Sequence, residues 1–264
     1  MPIEPSIYLL KGKVQHYSWG GFQFIPQLLQ LNNEEQKPYA EYWLGAHPAQ
    51  PSTVIVDNKE LALNDVINEY KEGVLGAAAA KKFDALPYLF KVLDVRQMLS
   101  IQVHPNKEWA KKSFENENEK GIPLTAPHRN YKDTNHKPEL MVALSDFWLL
   151  HGFKPADQLA EILEAVPEFD FLVDVFEKDG YEGLYEKVMY MNQREVNDLL
   201  EPLIAKIIPL YQNNEFGKDE ESFWAARAAE TFCKNGQYDR GIFSIYFFNL
   251  LHLKKGEGIY QPAG

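Results

Sequence analysis

Glu139-Leu-Met-Val-Ala-Leu-Ser-Asp-Phe-Trp-Leu-Leu-His-Gly-Phe-Lys-Pro-Ala-Asp-Gln-Leu-Ala-Glu-Ile-Leu-Glu-Ala-Val166 is where this chain changes its period. Up to Phe153 it holds two short apolar runs, 139–144 and 147–153, of the length expected of strands. Past Pro155, the residues Leu159, Ile162, Leu163 and Val166 fall at i, i+3, i+4 and i+7, which is one helix face. Upstream the strand character continues. Ser52-Thr-Val-Ile-Val56 is β-branched and stops at the turn pair Asp57-Asn58, and 86–95 and 99–104 are further apolar runs parted by Arg96-Gln97. Two helical intervals interrupt: 63–83, with its alanines at 77–80, and the charged stretch 107–119. Downstream, Val196, Leu199, Leu200, Leu203, Ile204, Ile207 and Ile208 repeat the helical spacing, with Pro202 predicting a kink or a helix start. A third helix is predicted over 222–234, with Gly236 as its C-cap. Residues 242–253, dense in Phe, Ile, Tyr and Leu, predict a return to strand. Lys255-Gly-Glu-Gly258 then makes a turn, and Ile259-Tyr260 opens another strand. The order predicts a mainly β fold with an α insertion at 155–237.

At 264 residues, 45% hydrophobic and 13% aromatic, the chain is not disordered and can bury a sizeable core. Its net charge of −11, with no basic tract, argues against nucleic acid and anionic membranes as partners. No apolar run approaches the ~20 residues of a membrane span. An anionic substrate would need a local cluster of cations. The one cysteine, Cys233, excludes an intrachain disulfide and a Cys-based zinc site. Residues 1–10 lack a basic region followed by an apolar run, so no signal peptide is expected and the cytoplasm is the default address. Phosphate-binding glycine loops, the G-x-S-x-G elbow and H-E-x-x-H are all missing.

Chemistry concentrates in two segments. In Ser100-Ile-Gln102-Val-His104-Pro-Asn-Lys107, side chains that alternate along a strand put Gln102 and His104 on one face. A hydrogen-bonded pair in a polar cleft satisfies both; so does a metal. In Asn130-Tyr-Lys-Asp-Thr-Asn-His136-Lys137-Pro138-Glu139, Glu139 sits where a loop meets a strand. It is either an ion-pair partner of the nearby cations or a carboxylate ligand joining Gln102 and His104, since zinc accepts N and O ligands. Tyr17-Ser-Trp19-Gly20-Gly21 sets an aromatic in a glycine turn, suited to stacking on a sugar or to a core. Lys91, a lone cation inside Phe90-Lys-Val-Leu93, either snorkels outward or faces a polar cleft that would suit an anion.

Together these segments resemble type I mannose-6-phosphate isomerases (phosphomannose isomerases). The stretches that carry the resemblance are Tyr17-Ser-Trp-Gly-Gly21, Ala40-Glu-Tyr-Trp-Leu-Gly-Ala-His-Pro48, Leu86-Pro-Tyr-Leu-Phe-Lys-Val-Leu93, Leu99-Ser-Ile-Gln-Val-His-Pro-Asn-Lys107 and Asn135-His-Lys-Pro-Glu139, in the family's order and spacing. The last two are highly specific in combination. The resemblance implies a cupin-type (jelly-roll) β-sandwich with an inserted helical domain: a first cupin part at 1–154, the insertion at 155–237, and returning cupin strands at 238–264. It implies one zinc ion, with Gln102, His104 and Glu139 as ligands. It implies interconversion of mannose 6-phosphate and fructose 6-phosphate through an enediol, with a sugar phosphate as the partner. Trp19, Lys91 and Ser100 would be substrate-binding residues, and His136 and Lys137 the catalytic pair.

In one respect the sequence departs from the family pattern. Members place a strand with a fourth ligand, a histidine, directly after the Pro-Ala-Gly turn, and an active-site arginine further on; this chain ends at Gly264. The fourth ligand is therefore expected beyond Gly264, and the 264 residues alone are expected to have little activity. The alternative is a non-enzymatic cupin that binds sugar or phosphate as a sensor, which would not need Gln102, His104 and Glu139 together. An iron-dependent cupin would want two histidines and a carboxylate, and Gln102 speaks against it.

Overall fold

The structure, a computed structural model, describes residues 6–126 and 128–264. Half of the stretch inspected for a leader, 1–5, lies outside them. The contacts divide the chain into two compact units, Met1–Ser100 and Ile101–Gly264.

The first unit holds two three-stranded antiparallel sheets. One has β1 (Leu9–Lys11) beside β4 (Thr53–Val56) and β5 (Lys59–Ala62). The other sets β3 (Glu41–Leu44) between β2 (Lys13–Gln15) and β6 (Phe90–Leu93). The β4–β5 hairpin turns at Asp57 and Asn58, with φ of 47° and 60°. Positive φ at both central residues is the tight-turn geometry whose twist matches the strands, and Asp and Asn tolerate it. After the short α1 (Phe24–Leu28), the predicted helical interval 63–83 is three short helices: α2 (Leu63–Glu69), α3 (Lys71–Leu75) and α4 (Ala77–Lys82). Gly76, at φ 77°, ends α3 in a conformation other residues adopt only under strain.

The second unit opens with an irregular segment and then α5 (Lys107–Glu119), started by the Asn106 side chain, which accepts the Trp109 N–H at 2.8 Å. Its strands form two antiparallel pairs, β7 (Glu139–Val142) with β10 (Gly258–Gln261) and β8 (Phe147–Phe153) with β9 (Phe248–Leu253). Between them lie α6 (Ala156–Ala165), α7 (Val173–Tyr190), α8 (Gln193–Gln212), α9 (Glu221–Phe232) and α10 (Gly241–Phe247). Leu159, Leu163, Leu184, Val196, Leu200, Phe243 and Phe247 are buried. Phe169 packs on Phe243, Tyr246 and Phe247, at ring separations of 5.5, 5.2 and 6.0 Å.

Several expectations are corrected. The fold is not mainly β: its sheets have two or three short strands, and helices hold more of the chain. Residues 99–104 form no strand. The run 242–253 is a strand only from Phe248; its first half is α10, every residue of which from Ile242 to Phe247 is buried. A run that is apolar on all sides suits a core helix as well as a buried strand, and periodicity does not separate them. Pro202 starts nothing. α8 begins at a capping box, in which Asn192 accepts the Glu195 N–H and Glu195 accepts that of Asn192, and it runs through Pro202 and Pro209. The buried Val196, Leu200, Leu203, Ile204 and Ile207 contribute about 1.5–3 kcal/mol each. Together they exceed the roughly 3 kcal/mol that each interior proline costs. Gly236 is not the C-cap of α9, a position that Cys233 takes; at φ 70° it serves the turn closed by Lys234 and Gln237.

Tyr246 links α10 to α9 through a 3.3 Å hydrogen bond between its hydroxyl and that of Ser222. Burial pushes its phenol up to about 12, against the smaller opposing effect of that bond. The folded state thus holds the proton more tightly than the unfolded chain, whose phenol titrates near ~10. Its contribution is complete below that value and is lost as pH rises toward the folded value. Tyr246→Phe should flatten the alkaline decline of stability between about pH 10 and 12, measured by denaturant unfolding at stepped pH; an unchanged profile would place the loss elsewhere.

Candidate metal centre and substrate-binding residues

In the second unit the two candidate segments meet through the chain's last residues. Glu139 is the first residue of β7, and its register partner on β10 is Gln261. Three residues further on, the Gly264 N–H donates to the His104 carbonyl at 2.9 Å. The stretch 258–264 therefore lies against both. His104 Nε2 and Glu139 Oε1 are 3.3 Å apart, with the imidazole 15% exposed and the carboxylate 58%. Two ligands at ~2.0–2.2 Å from a tetrahedral zinc are themselves roughly 3.3–3.6 Å apart. The pair thus has the spacing of one edge of such a site, with one N and one O donor as zinc accepts. A protonated imidazole would make the same contact an ion pair.

The other predicted ligand, Gln102, is exposed on the irregular segment, and among the described residues none hydrogen-bonds its amide. His136 and Lys137 are exposed on the loop before Glu139, and no hydrogen bond or ion pair joins either to the His104–Glu139 pair. Their neighbour Asn135 is anchored: its side-chain oxygen accepts from Lys107 Nζ at 2.6 Å. Among the described residues no three His, Cys, Asp or Glu side chains gather. His252 stands apart, stacked on Trp148 at 4.3 Å and 3.3 Å from Asp146 Oδ1.

In the first unit, Lys91 on β6 faces a partner. Its ammonium lies 3.4 Å from Glu41 Oε2 and 5.2 Å above the Trp43 ring. Glu41 is buried and also accepts the Trp43 indole N–H. Burial raises the pKa of Tyr17, and the negative charge of Glu41 adds to the rise. Trp19 is half-buried and stacked on Tyr17 at 5.7 Å. Its turn needs glycine for room: a Cβ on Gly20 would meet the Ala40 backbone N at 2.5 Å. Arg96 fixes the turn by donating to the carbonyls of Ser18 and Gly20. Ser100 is exposed and outside any element. Sequence reasoning missed Glu41 as the partner of Lys91; the one available signal was a carboxylate at the head of a run of aromatics.

A model of the type I phosphomannose isomerase catalytic domain matches residues 7–156, more than half of the chain. A curated mannose-6-phosphate isomerase of Salmonella typhimurium is 35% identical over 259 residues, 96% of this chain and 63% of that protein. The human protein of that name is 33% identical over 287 residues, 98% of this chain and 64% of its own. A crystal structure of the Salmonella typhimurium isomerase with fructose 6-phosphate and zinc superposes with a TM-score of 0.82 at 32% identity, covering 97% of this chain and 63% of that one. The chain thus spans just under two thirds of the relatives it matches.

If His104 and Glu139 share a metal, His104→Ala and Glu139→Ala should each weaken zinc binding at least ~10-fold, since loss of even an outer-shell partner typically costs that much, as read by competition with a chromogenic chelator. Unchanged affinity in both variants would reduce the pair to an ion pair.

Proposed function

The chain belongs to the type I phosphomannose isomerase family, and on that premise we propose that it is a zinc-dependent aldose–ketose isomerase interconverting mannose 6-phosphate and fructose 6-phosphate. The observation that carries this reading is the 3.3 Å approach of His104 Nε2 to Glu139 Oε1. His104, Glu139 and Gln102 would hold the metal. Gln102 has its amide free of other described partners, as a ligand requires. Bound there, zinc supplies Lewis-acid polarisation of sugar oxygens or of a bound water.

The remaining steps fall to side chains of this chain. Isomerisation moves a proton between C2 and C1 through an enediol. Lys137 Nζ or a ring nitrogen of His136 carries it, since a base must reach those carbons within hydrogen-bond distance. Both are unencumbered by described partners. The phosphate is remote from the reacting carbons, so its contacts contribute binding energy that orients the sugar. Lys91 and Ser100 are its contacts, with the Lys91 ammonium already oriented by Glu41 and Trp43. Trp19 offers a ring for the sugar. In this reading, the strands belong to a cupin-type jelly-roll β-sandwich at 1–154 and 238–264, interrupted by a helical domain at 155–237. The cytoplasm is the proposed location; no described helix is long and apolar enough to cross a membrane.

The test is turnover of mannose 6-phosphate, followed through fructose 6-phosphate. Chelation should abolish it and added zinc restore it. Lys137→Met or His136→Ala, whichever removes the proton carrier, should lower kcat by about 10²–10⁴ with KM little changed. Little turnover is expected of the 264 residues alone, so the assay is run on the longest product of the gene as well; absence of turnover by both, zinc-loaded, would leave a binding protein.

A further inference from the structure

Helix α5 joins the two segments that hold His104 and Glu139. Its N-cap, Asn106, comes two residues after His104. Its C-terminal half grips the loop that leads to Glu139. The Glu117 carboxylate accepts the backbone N–H of Asn130 at 3.1 Å and of Tyr131 at 2.8 Å, one on each oxygen. Arg129 is buried, its side chain 1% exposed, 3.6 Å from Glu117 Oε2. Its guanidinium donates to the carbonyls of Tyr131 (2.7 Å) and Ile122 and to Asn118 Oδ1 (2.8 Å), and it lies 4.9 Å over the Phe114 ring. A second clamp sits nearer the pair: Lys107 Nζ holds Asn135, four residues before Glu139, and Trp109 Nε1 donates to the Tyr131 hydroxyl at 3.2 Å.

Such a cluster is more than an exposed loop needs. Desolvating a guanidinium is costly unless it is paired and its donors are used, and here both conditions hold. Glu117 is similarly committed, with a side chain only 12% exposed. Burial alone would raise its carboxyl pKa, but the two N–H donors and Arg129 outweigh that and hold it below the usual range. Among its described residues the loop has no helix or strand between Glu119 and Glu139. Its path is therefore set by these contacts.

We propose that Glu117, with Arg129 and Lys107, is a positioning residue for the metal centre: α5 is a strut that fixes the loop before Glu139 against the segment carrying His104, touching neither ligand. This rests on the reading of His104 and Glu139 as zinc ligands. A carboxylate approaching from a freely moving loop meets the metal less often in the right geometry, and groups that orient ligands from outside are worth about 10–100-fold in affinity.

The experiment is chelator competition for zinc on wild type, Glu117→Ala, Lys107→Met and His104→Ala, with the metal-free melting temperature and amide exchange at Asn130 and Tyr131 measured in parallel. Glu117→Ala should weaken zinc by about 10–100-fold and speed exchange at those two amides in a protein that is still folded. Lys107→Met, an exposed clamp whose loss the fold tolerates, should weaken zinc several-fold and reads the same coupling should Glu117→Ala not fold. A merely structural role would lower the melting temperature and leave the zinc affinity of the folded protein unchanged. Full affinity in Lys107→Met and in folded Glu117→Ala, with binding lost in His104→Ala, overturns the strut and keeps the zinc reading. Full affinity in His104→Ala overturns both.

Discussion

Each backbone N–H and C=O of an extended run needs a partner, and the supply of partners decides what the apolar segments of this chain become. Residues 139–142 form a strand because 258–261 lies alongside in register, Glu139 opposite Gln261 and Val142 opposite Gly258. The segment 99–104, whose Leu99, Ile101 and Val103 alternate as in a strand, has one such bond described, from the Gly264 N–H to the His104 carbonyl, and remains irregular. The same seven residues, 258–264, thus hold the backbone at both halves of the candidate metal pair. A shift of one residue in the β7–β10 register would turn Glu139 to the opposite face, since side chains alternate along a strand. The chemistry of His104 and Glu139 therefore depends on a pairing to which neither side chain contributes.

Charge is placed with similar economy. The chain carries a net −11, and its lone β6 cation is tied into that acidic surplus. Lys91 is kept in place by Glu41 rather than left to swing, and Glu41 is kept by the Trp43 indole. An ammonium that is one-third exposed, oriented by a buried carboxylate and resting over an indole, has lost little of its charge to solvent and much of its freedom.

Local signals were legible in the sequence and non-local ones were not. The turn at Asp57-Asn58, the bounds of α5 and β8, and the helical spacing of α6 each rest on residues within a few positions of one another, and they appear where turn chemistry and periodicity put them. The failures share a cause. Whether 99–104 is a strand depends on a neighbour about 160 residues away. Whether 242–247 coils depends on Phe169 and the helices that enclose it. The reading of His104 and Glu139 as joint ligands was reached through resemblance to a family, because the residues alone favoured a plain ion pair for Glu139. Glu41 and Glu117 were invisible as partners of Lys91 and Arg129: an acidic residue in sequence gives no sign of which cation the fold will bring to it.

Stability and chemistry are kept in different parts of the second unit. Among the described residues of 99–146, only Ala110, Arg129 and Ala143 are buried. The large apolar burial lies in the helices, where Phe169, in the 3-10 turn Pro167–Leu172, and Phe243 and Phe247, in α10, are wholly enclosed. The β8–β9 pair is tied to that core through Phe153, which meets Phe248 at 4.8 Å and Tyr185 at 5.5 Å. Buried apolar area is the main source of folding free energy, so the helical core can hold the unit together whatever stands at positions 102, 104 and 139. Residues freed from that duty, the exposed amide of Gln102 and the His104 imidazole beside the Glu139 carboxylate, contribute little to folding, so their chemistry is open to other uses. Arg129 is the exception among the three buried side chains, the one with a charge. Its enclosure adds little apolar area, and its hydrogen bonds all serve the loop and helix beside the candidate centre. Packing alone gives no reason to bury it, whereas fixing that loop does.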